Sequence, residues 1–221
     1  PDTHQSGMGH AITLGSPLRV SKTNDFGPQI LSYKCSGTPA DCVKFGRFHI
    51  LKQEPDFLFS GINHGSNSSI NVVYSGTMSA AIEAGIEGIP AIGFSLLDYR
   101  WNADFSPLKP FIEKITRATI QNKQRADVVL NVNFPALPEG EIKGIRVCRQ
   151  AKANWVEKFD KRQSPMGRDY YWLTGEFINE DKGQDTDEWA LKEGYISVVP
   201  TQFDLTAHHA IQELNSWNFE N

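Results

Sequence analysis

At 221 residues, 39% hydrophobic and 22% charged, the chain has enough apolar content to bury a sizeable core, as one large domain or two small ones. Twenty-two basic residues against twenty-six acidic ones leave a formal charge of −4, and no lysine or arginine run marks a nucleic-acid groove or an anionic-membrane patch, which leaves a small molecule as the expected substrate. No apolar stretch nears the roughly 20 residues of a bilayer span, and Cys35, Cys42 and Cys148, an odd set without C-x-x-C spacing, argue against a disulfide framework or a structural zinc and for a reducing cytoplasm.

Pro1 to Gly7 reads as a loop leaving a strand, which predicts further sequence upstream of Pro1. Ala11 to Leu14 and Leu18 to Val20 read as short strands around a Gly15-Ser16-Pro17 turn. Gly37 to Val43 opens a helix, with Thr38 as N-cap and Pro39 at the first helical position. The run Phe57 to Ser60 is a strand, Thr77 to Ile86 a helix stopped by Gly85 and Gly88, and Pro90 to Ser95 a buried strand, together a βαβ unit. Phe111, Ile112, Ile115, Ala118 and Thr119 keep helical spacing, and Val128 to Asn133 forms the next strand. This alternation predicts an α/β fold with a sheet largely parallel in its first half. Beyond residue 140 the pattern changes: strands at Ile142 to Cys148 and Tyr170 to Leu173 flank a polar arm or extended hairpin, followed by a capped helix at Asp185 to Gly194, a strand at Tyr195 to Val199 and a terminal helix from Leu205 to Trp217. Without repeats or a linker, 1–140 reads as the core and 141–221 as an excursion of that core, not an independent domain.

Ligand chemistry concentrates where the strand at Phe57 gives way to Gly61-Ile62-Asn63-His64-Gly65-Ser66-Asn67. Ligands of open α/β sheets sit beyond the carboxyl ends of the strands, where the Asn63 amide oxygen is either a hard-metal donor or part of a left-handed turn between glycines. Ser75-Gly76-Thr77 before an alanine-rich helix is either an anion cradle or an ordinary N-cap. His64 is the candidate general acid, with a surface role as the plainer alternative. His208 and His209 are adjacent on a helix and lack the i, i+4 spacing of a metal pair. Trp155, Phe159, Tyr170, Tyr171 and Trp172 make the excursion unusually aromatic, suiting base stacking or subunit packing.

The ordered set Pro1-Asp2 to Ser6-Gly7, Ser36 to Val43, Pro55-Asp56, Ser60 to Asn67 and Tyr74-Ser75-Gly76-Thr77 closely resembles the SurE family of stationary-phase survival proteins. Ile89 to Ser95, Leu130 to Pro135, Asp185-Thr186-Asp187 and Gly194 to Val198 continue the resemblance over nearly the whole chain. It implies a Rossmann-like fold whose β-rich C-terminal excursion exchanges between subunits of a homodimer or homotetramer. It implies a phosphomonoesterase that hydrolyses nucleoside 5′- and 3′-monophosphates and sometimes polyphosphate with Mg2+ or Mn2+, one ion per subunit. Ser6 and Asn63 match metal ligands, and Ser75, Gly76 and Thr77 match the phosphate site. The family's adjacent aspartate pair, in an N-terminal Thr-Asn-Asp-Asp-Gly turn, has no counterpart here. Thr23-Asn24-Asp25-Phe26-Gly27 looks similar, but it follows Ser6 instead of preceding it and carries Phe26 in place of the second carboxylate. The alternative reading of the chain is therefore a truncated, non-catalytic nucleotide- or phosphate-binding module.

Overall fold

The computed structural model describes residues 1–219. Nine strands and six α-helices follow in chain order: β1 (Val20–Thr23), β2 (Ser32–Cys35), α1 (Pro39–Phe45), β3 (Leu58–His64), α2 (Asn71–Tyr74), α3 (Gly76–Ile86), β4 (Ala91–Leu96), α4 (Lys109–Gln121), β5 (Val129–Phe134), β6 (Ile145–Val147), β7 (Ala153–Gln163), β8 (Asp169–Asn179), α5 (Asp187–Lys192), β9 (Ile196–Thr201) and α6 (Ile211–Leu214). The central sheet has the order β3-β4-β5-β9-β6. Strands β3, β4 and β5 run parallel, β9 runs antiparallel to β5, and β6 is parallel to β9. The expected α/β class with a mostly parallel sheet is what the chain forms, and the sheet continues past residue 140 by recruiting β6 and β9.

Burial explains this order. All six residues of β4 are buried, so the strand needs cover on both faces. Ile92, Phe94, Leu108, Val132, Phe134 and Ile196 form one cluster, and Met78, Ala81 and Ala84 of α3 form the other with Ile89, Ala91 and Val129. Each fully buried large side chain contributes about 2 kcal/mol from removal of apolar area from water. Small alanines on α3 let the helix lie close to the sheet and fix the direction in which its N-terminus points.

Helix α1 begins as its sequence predicts. Thr38 Oγ1 accepts from the Asp41 N–H, while the Asp41 carboxylate accepts from the Thr38 N–H at 2.9 Å, completing a reciprocal capping box with Pro39 in the first turn. The same two residues tie down the N-terminal loop. Thr38 Oγ1 donates to the Ala11 carbonyl at 2.7 Å, and the Thr13 hydroxyl donates to Asp41 at 2.6 Å. Burial works to raise the Asp41 pKa, but the hydrogen bonds from Thr13 and Thr38 outweigh it and hold the carboxyl below its ordinary value.

Three expectations are corrected. Residues 11–14 form no strand, because their polar groups are spent on α1 instead of a ladder; the strand pair is β1 with β2, antiparallel from Val20↔Cys35 to Thr23↔Ser32. The strand expected at Tyr170 to Leu173 is the first half of an eleven-residue strand, β8, paired along its whole length with β7 in a long hairpin. The terminal helix from Leu205 shrinks to a 3-10 turn at His208–Ala210 followed by α6. Its residues stay largely exposed, so no packed face sustains a longer helix. Residues 220 and 221 of the C-terminal stretch lie outside the described residues. Among the described residues no helix is long and apolar enough to cross a membrane.

Candidate active site

A cavity of about 820 Å3 opens at the carboxyl ends of β3 and β4, within the size range of small-molecule sites. Three segments of the chain meet there: the N-terminal loop with Ser6, the end of β3 with Asn63 and His64, and the start of α3 with Ser75, Gly76 and Thr77. All six predicted site residues line this one cavity.

A bulge sets Asn63. Between Ser60↔Gly93 and Asn63↔Ser95 the pairing advances three residues on β3 against two on β4, so one extra residue re-aims the strand's end. Only glycine is accommodated at position 61: its φ is +112°, and an added Cβ would stand 2.4 Å from the Phe94 carbonyl oxygen. Asn63 Nδ2 donates to the Gly65 carbonyl at 2.9 Å, which fixes the amide and leaves Oδ1 without a hydrogen bond among the described residues. That oxygen, with the Ser6 hydroxyl, is a neutral hard donor of the kind divalent cations use.

The N-terminus of α3 faces the same space. Ser75 is its N-cap, its hydroxyl oxygen accepting from the Met78 N–H at 3.0 Å. The plain capping reading of Ser75 therefore holds, and it does not compete with anion binding, because the N–H groups of Gly76 and Thr77 in the first helical turn have no place in the intrahelical ladder. A side chain at Gly76 would crowd Pro39 at 3.0 Å and the Gln5 carbonyl at 3.2 Å, so glycine lets the Ser6 loop close on the helix start. Among the described residues no aspartate or glutamate lines the cavity. The positive end of the α3 dipole meets no competing carboxylate from them there, a setting that favours an anion.

His64 Nδ1 lies 3.0 Å from the Arg100 carbonyl, and its ring meets Phe105 edge-on at 4.9 Å. A carbonyl only accepts, so the neutral ring carries its proton on Nδ1 and leaves Nε2 bare. Proton donation from Nε2, the role expected of His64, therefore requires the imidazolium.

A buried polar ladder unread in the sequence forms the floor of the loop after β3. Asn133 Oδ1 accepts from the Asn67 N–H at 2.8 Å, Asn133 Nδ2 donates to Asn131 Oδ1 at 2.9 Å, Asn131 Nδ2 donates to the Asn67 carbonyl at 2.8 Å, and Asn67 Nδ2 donates to Ser95 Oγ at 2.6 Å. The signal was present: Leu130-Asn131-Val132-Asn133 places two poor strand formers inside a buried strand. Below it, Asp187 accepts from the N–H groups of Ser69 at 2.7 Å, Ala151 at 2.9 Å and Glu188 at 2.8 Å, joining the loop to the base of the β7–β8 hairpin. Asp25 of the Thr-Asn-Asp-Phe-Gly segment sits in the β1–β2 turn, paired with Lys34 at 3.2 Å and absent from the cavity wall.

The family model described as Survival protein SurE matches residues 1–157 of this chain. The chain belongs to the SurE family. It is 66% identical over 218 residues to a protein of Flavobacterium psychrophilum named 5′-nucleotidase SurE, covering 99% of this chain and 85% of that one. It is 67% identical over 217 residues to the 5′-nucleotidase SurE of Flavobacterium johnsoniae, covering 98% and 84%. Among solved structures it is similar to the SurE protein from Aquifex aeolicus, with a TM-score of 0.81 and 38% identity over 97% of this chain and 85% of that one. The resemblance read from the motifs is thus confirmed at the level of family and fold.

Proposed function

We propose that the intact protein is a divalent-metal-dependent phosphomonoesterase acting on nucleoside monophosphates. The observation that carries this reading is the meeting, in one cavity, of two hard oxygen donors and a helix N-terminus, in a chain whose relatives are named 5′-nucleotidases. The donor chemistry fits half of a magnesium or manganese shell. Ser6 Oγ and Asn63 Oδ1 would hold the ion, but both are neutral, and Mg2+ keeps its own waters unless carboxylates attract it. Among the described residues no group of three or more His, Cys, Asp or Glu side chains is placed to hold a metal, and no adjacent aspartates occur in the 221 residues. The adjacent aspartate pair that the family resemblance implies has no counterpart among these residues, so Ser6 and Asn63 account for only part of such a shell.

When bound, such an ion supplies Lewis-acid polarisation of the phosphoryl group and acidifies its water. The chain's own residues do the rest. Gly76 and Thr77 N–H groups hold phosphate oxygens at the helix dipole, the Thr77 hydroxyl adds a donor, and Ser75 keeps the helix start in place. As the imidazolium, His64 gives its Nε2 proton to the leaving oxygen. Hydrolysis of 3′-monophosphates and short polyphosphate belongs to the same proposal, because a phosphate held by backbone N–H groups is recognised without reference to the rest of the substrate.

A steady-state assay of full-length protein on 5′-AMP, 3′-AMP and tripolyphosphate, with and without Mn2+ or Mg2+, tests this. Metal-dependent release of phosphate from both nucleotides is expected; turnover unaffected by a chelator would overturn the mechanism.

We further propose that the β7–β8 hairpin packs against a second copy of the chain, in a homodimer or a homotetramer. Phe159, Trp172 and Leu173 on it are 70%, 58% and 64% exposed, an apolar load that water does not favour. Light scattering at micromolar concentration is expected to show a dimer or tetramer that becomes monomeric when residues 156–176 are deleted. A folded monomer for the full-length protein removes the idea.

A further inference from the structure

The loop that follows β4 carries two large aromatic rings into the cavity wall. Trp101 is 83% exposed and Tyr99 74% exposed, yet both belong to a loop held from several sides. Asp98 accepts from Arg100 Nε and Nη2 at 2.9 and 2.6 Å and from the Arg100 N–H at 2.9 Å, and the guanidinium holds the Asp98 carboxyl down to about 2. His64 Nδ1 donates to the carbonyl of Arg100, the residue between the two aromatic ones in the chain. The Tyr99 ring covers Gly65, where an added Cβ would stand 2.3 Å from Cε1, and its hydroxyl accepts from the Ser66 N–H at 3.3 Å. Trp101 meets His4 of the N-terminal loop edge-on, ring centres 5.8 Å apart. Trp155, also in the cavity wall, is fixed by its Nε1 donating to Asn71 Oδ1 at 2.8 Å.

Tyr99 and Trp101 are mostly exposed rings on a loop pinned by the Asp98–Arg100 pair, by His64 and by the contact of Tyr99 with Gly65, so ring surface is left open to the cavity. They form a preorganised π-surface in the wall of the same cavity that holds the phosphate cradle. We infer that Tyr99 and Trp101 form the stacking platform for the nucleobase of the substrate, with Trp155 a further ring in the same wall, and that they make the enzyme prefer purine nucleotides to sugar phosphates. The inference rests on the nucleotidase reading above. Stacking is read by the area of the base's π-face and tolerates different edges, so the preference runs from purine to pyrimidine to no base at all. Arg100 contributes no charge to the site, since its guanidinium is spent on Asp98.

Full-length protein and its Trp101→Ala and Trp101→Phe variants are assayed for kcat/KM on AMP, CMP and ribose 5-phosphate under identical metal conditions. The expected result is that Trp101→Ala lowers the ratio of AMP to ribose 5-phosphate by about tenfold, the scale of one lost base–aromatic stack, mainly through KM, and that Trp101→Phe restores most of it. An unchanged ratio, or equal loss on AMP and ribose 5-phosphate, would overturn the platform while leaving the nucleotidase reading intact. Absence of turnover on every ester by the parent protein would overturn both.

Discussion

Replacing Asn63 by alanine in the full-length protein lowers kcat/KM for AMP by about a hundredfold, the order of loss seen when one donor aimed at the reacting charge is removed. The substitution deletes Oδ1, the side-chain oxygen of Asn63 that has no hydrogen bond among the described residues, together with the Nδ2 bond to Gly65 that orients it. The bulge that aims position 63 is set by Gly61 and survives, so thermal unfolding stays within a few degrees of the parent. The Mn2+ concentration giving half-maximal rate rises at the same time, which separates loss of a metal ligand from loss of a substrate contact. An undiminished rate in Asn63→Ala would remove this residue from the mechanism.

The largest effect on stability is expected at Asp187. Truncation to alanine strands the N–H groups of Ser69, Ala151 and Glu188, and with each buried unmet donor costing about 1–3 kcal/mol the loss should be about 4 kcal/mol. For a chain of this size that is a fall in Tm of roughly 10 °C. Chemical denaturation of the variant checks it, and a change below about 1 kcal/mol would show that the loop is held by other means. The pH dependence has a definite sign. Burial pushes the Asp187 carboxyl above its ordinary value of 3.8, against the three backbone hydrogen bonds, and burial likewise raises Glu188. The folded state therefore binds protons more readily than the unfolded one, and stability declines as pH rises from the ordinary carboxylate value through the raised folded value. Asp187→Asn should flatten part of that decline.

Where a signal was local, it could be read along the chain. Thr38, Pro39 and Asp41 stand within four residues and make a cap that needs nothing from elsewhere, and the apolar run of β4 is a strand because only a doubly covered sheet buries six residues in succession. The elements that were misread depend on distant partners. The hairpin of β1 and β2 forms where it does because residues 11–14 are claimed by Thr38 and Asp41, a pairing invisible in the segment itself. Asn63, His64 and Ser75 to Thr77 were legible because glycines, serines and an asparagine cluster at loop ends, where open sheets place their ligands, whereas Ser6 entered only through the family resemblance. Asn131 and Asn133 read along the chain only as strand residues, since the acceptor and donor that justify burying them belong to a loop 64 and 66 residues earlier. Tyr99 and Trp101 gave no motif at all; their place in the wall follows from the Asp98–Arg100 clamp.

The extra residue in β3 leaves no slack at position 61. The backbone there has a φ of +112°, and any Cβ would run into the Phe94 carbonyl of the neighbouring strand, so a side chain at this position has to disturb the β3–β4 ladder before it can touch a ligand. One glycine therefore serves two masters, the pairing of the sheet and the aim of Asn63, and a substitution there is expected to forfeit folding and turnover together.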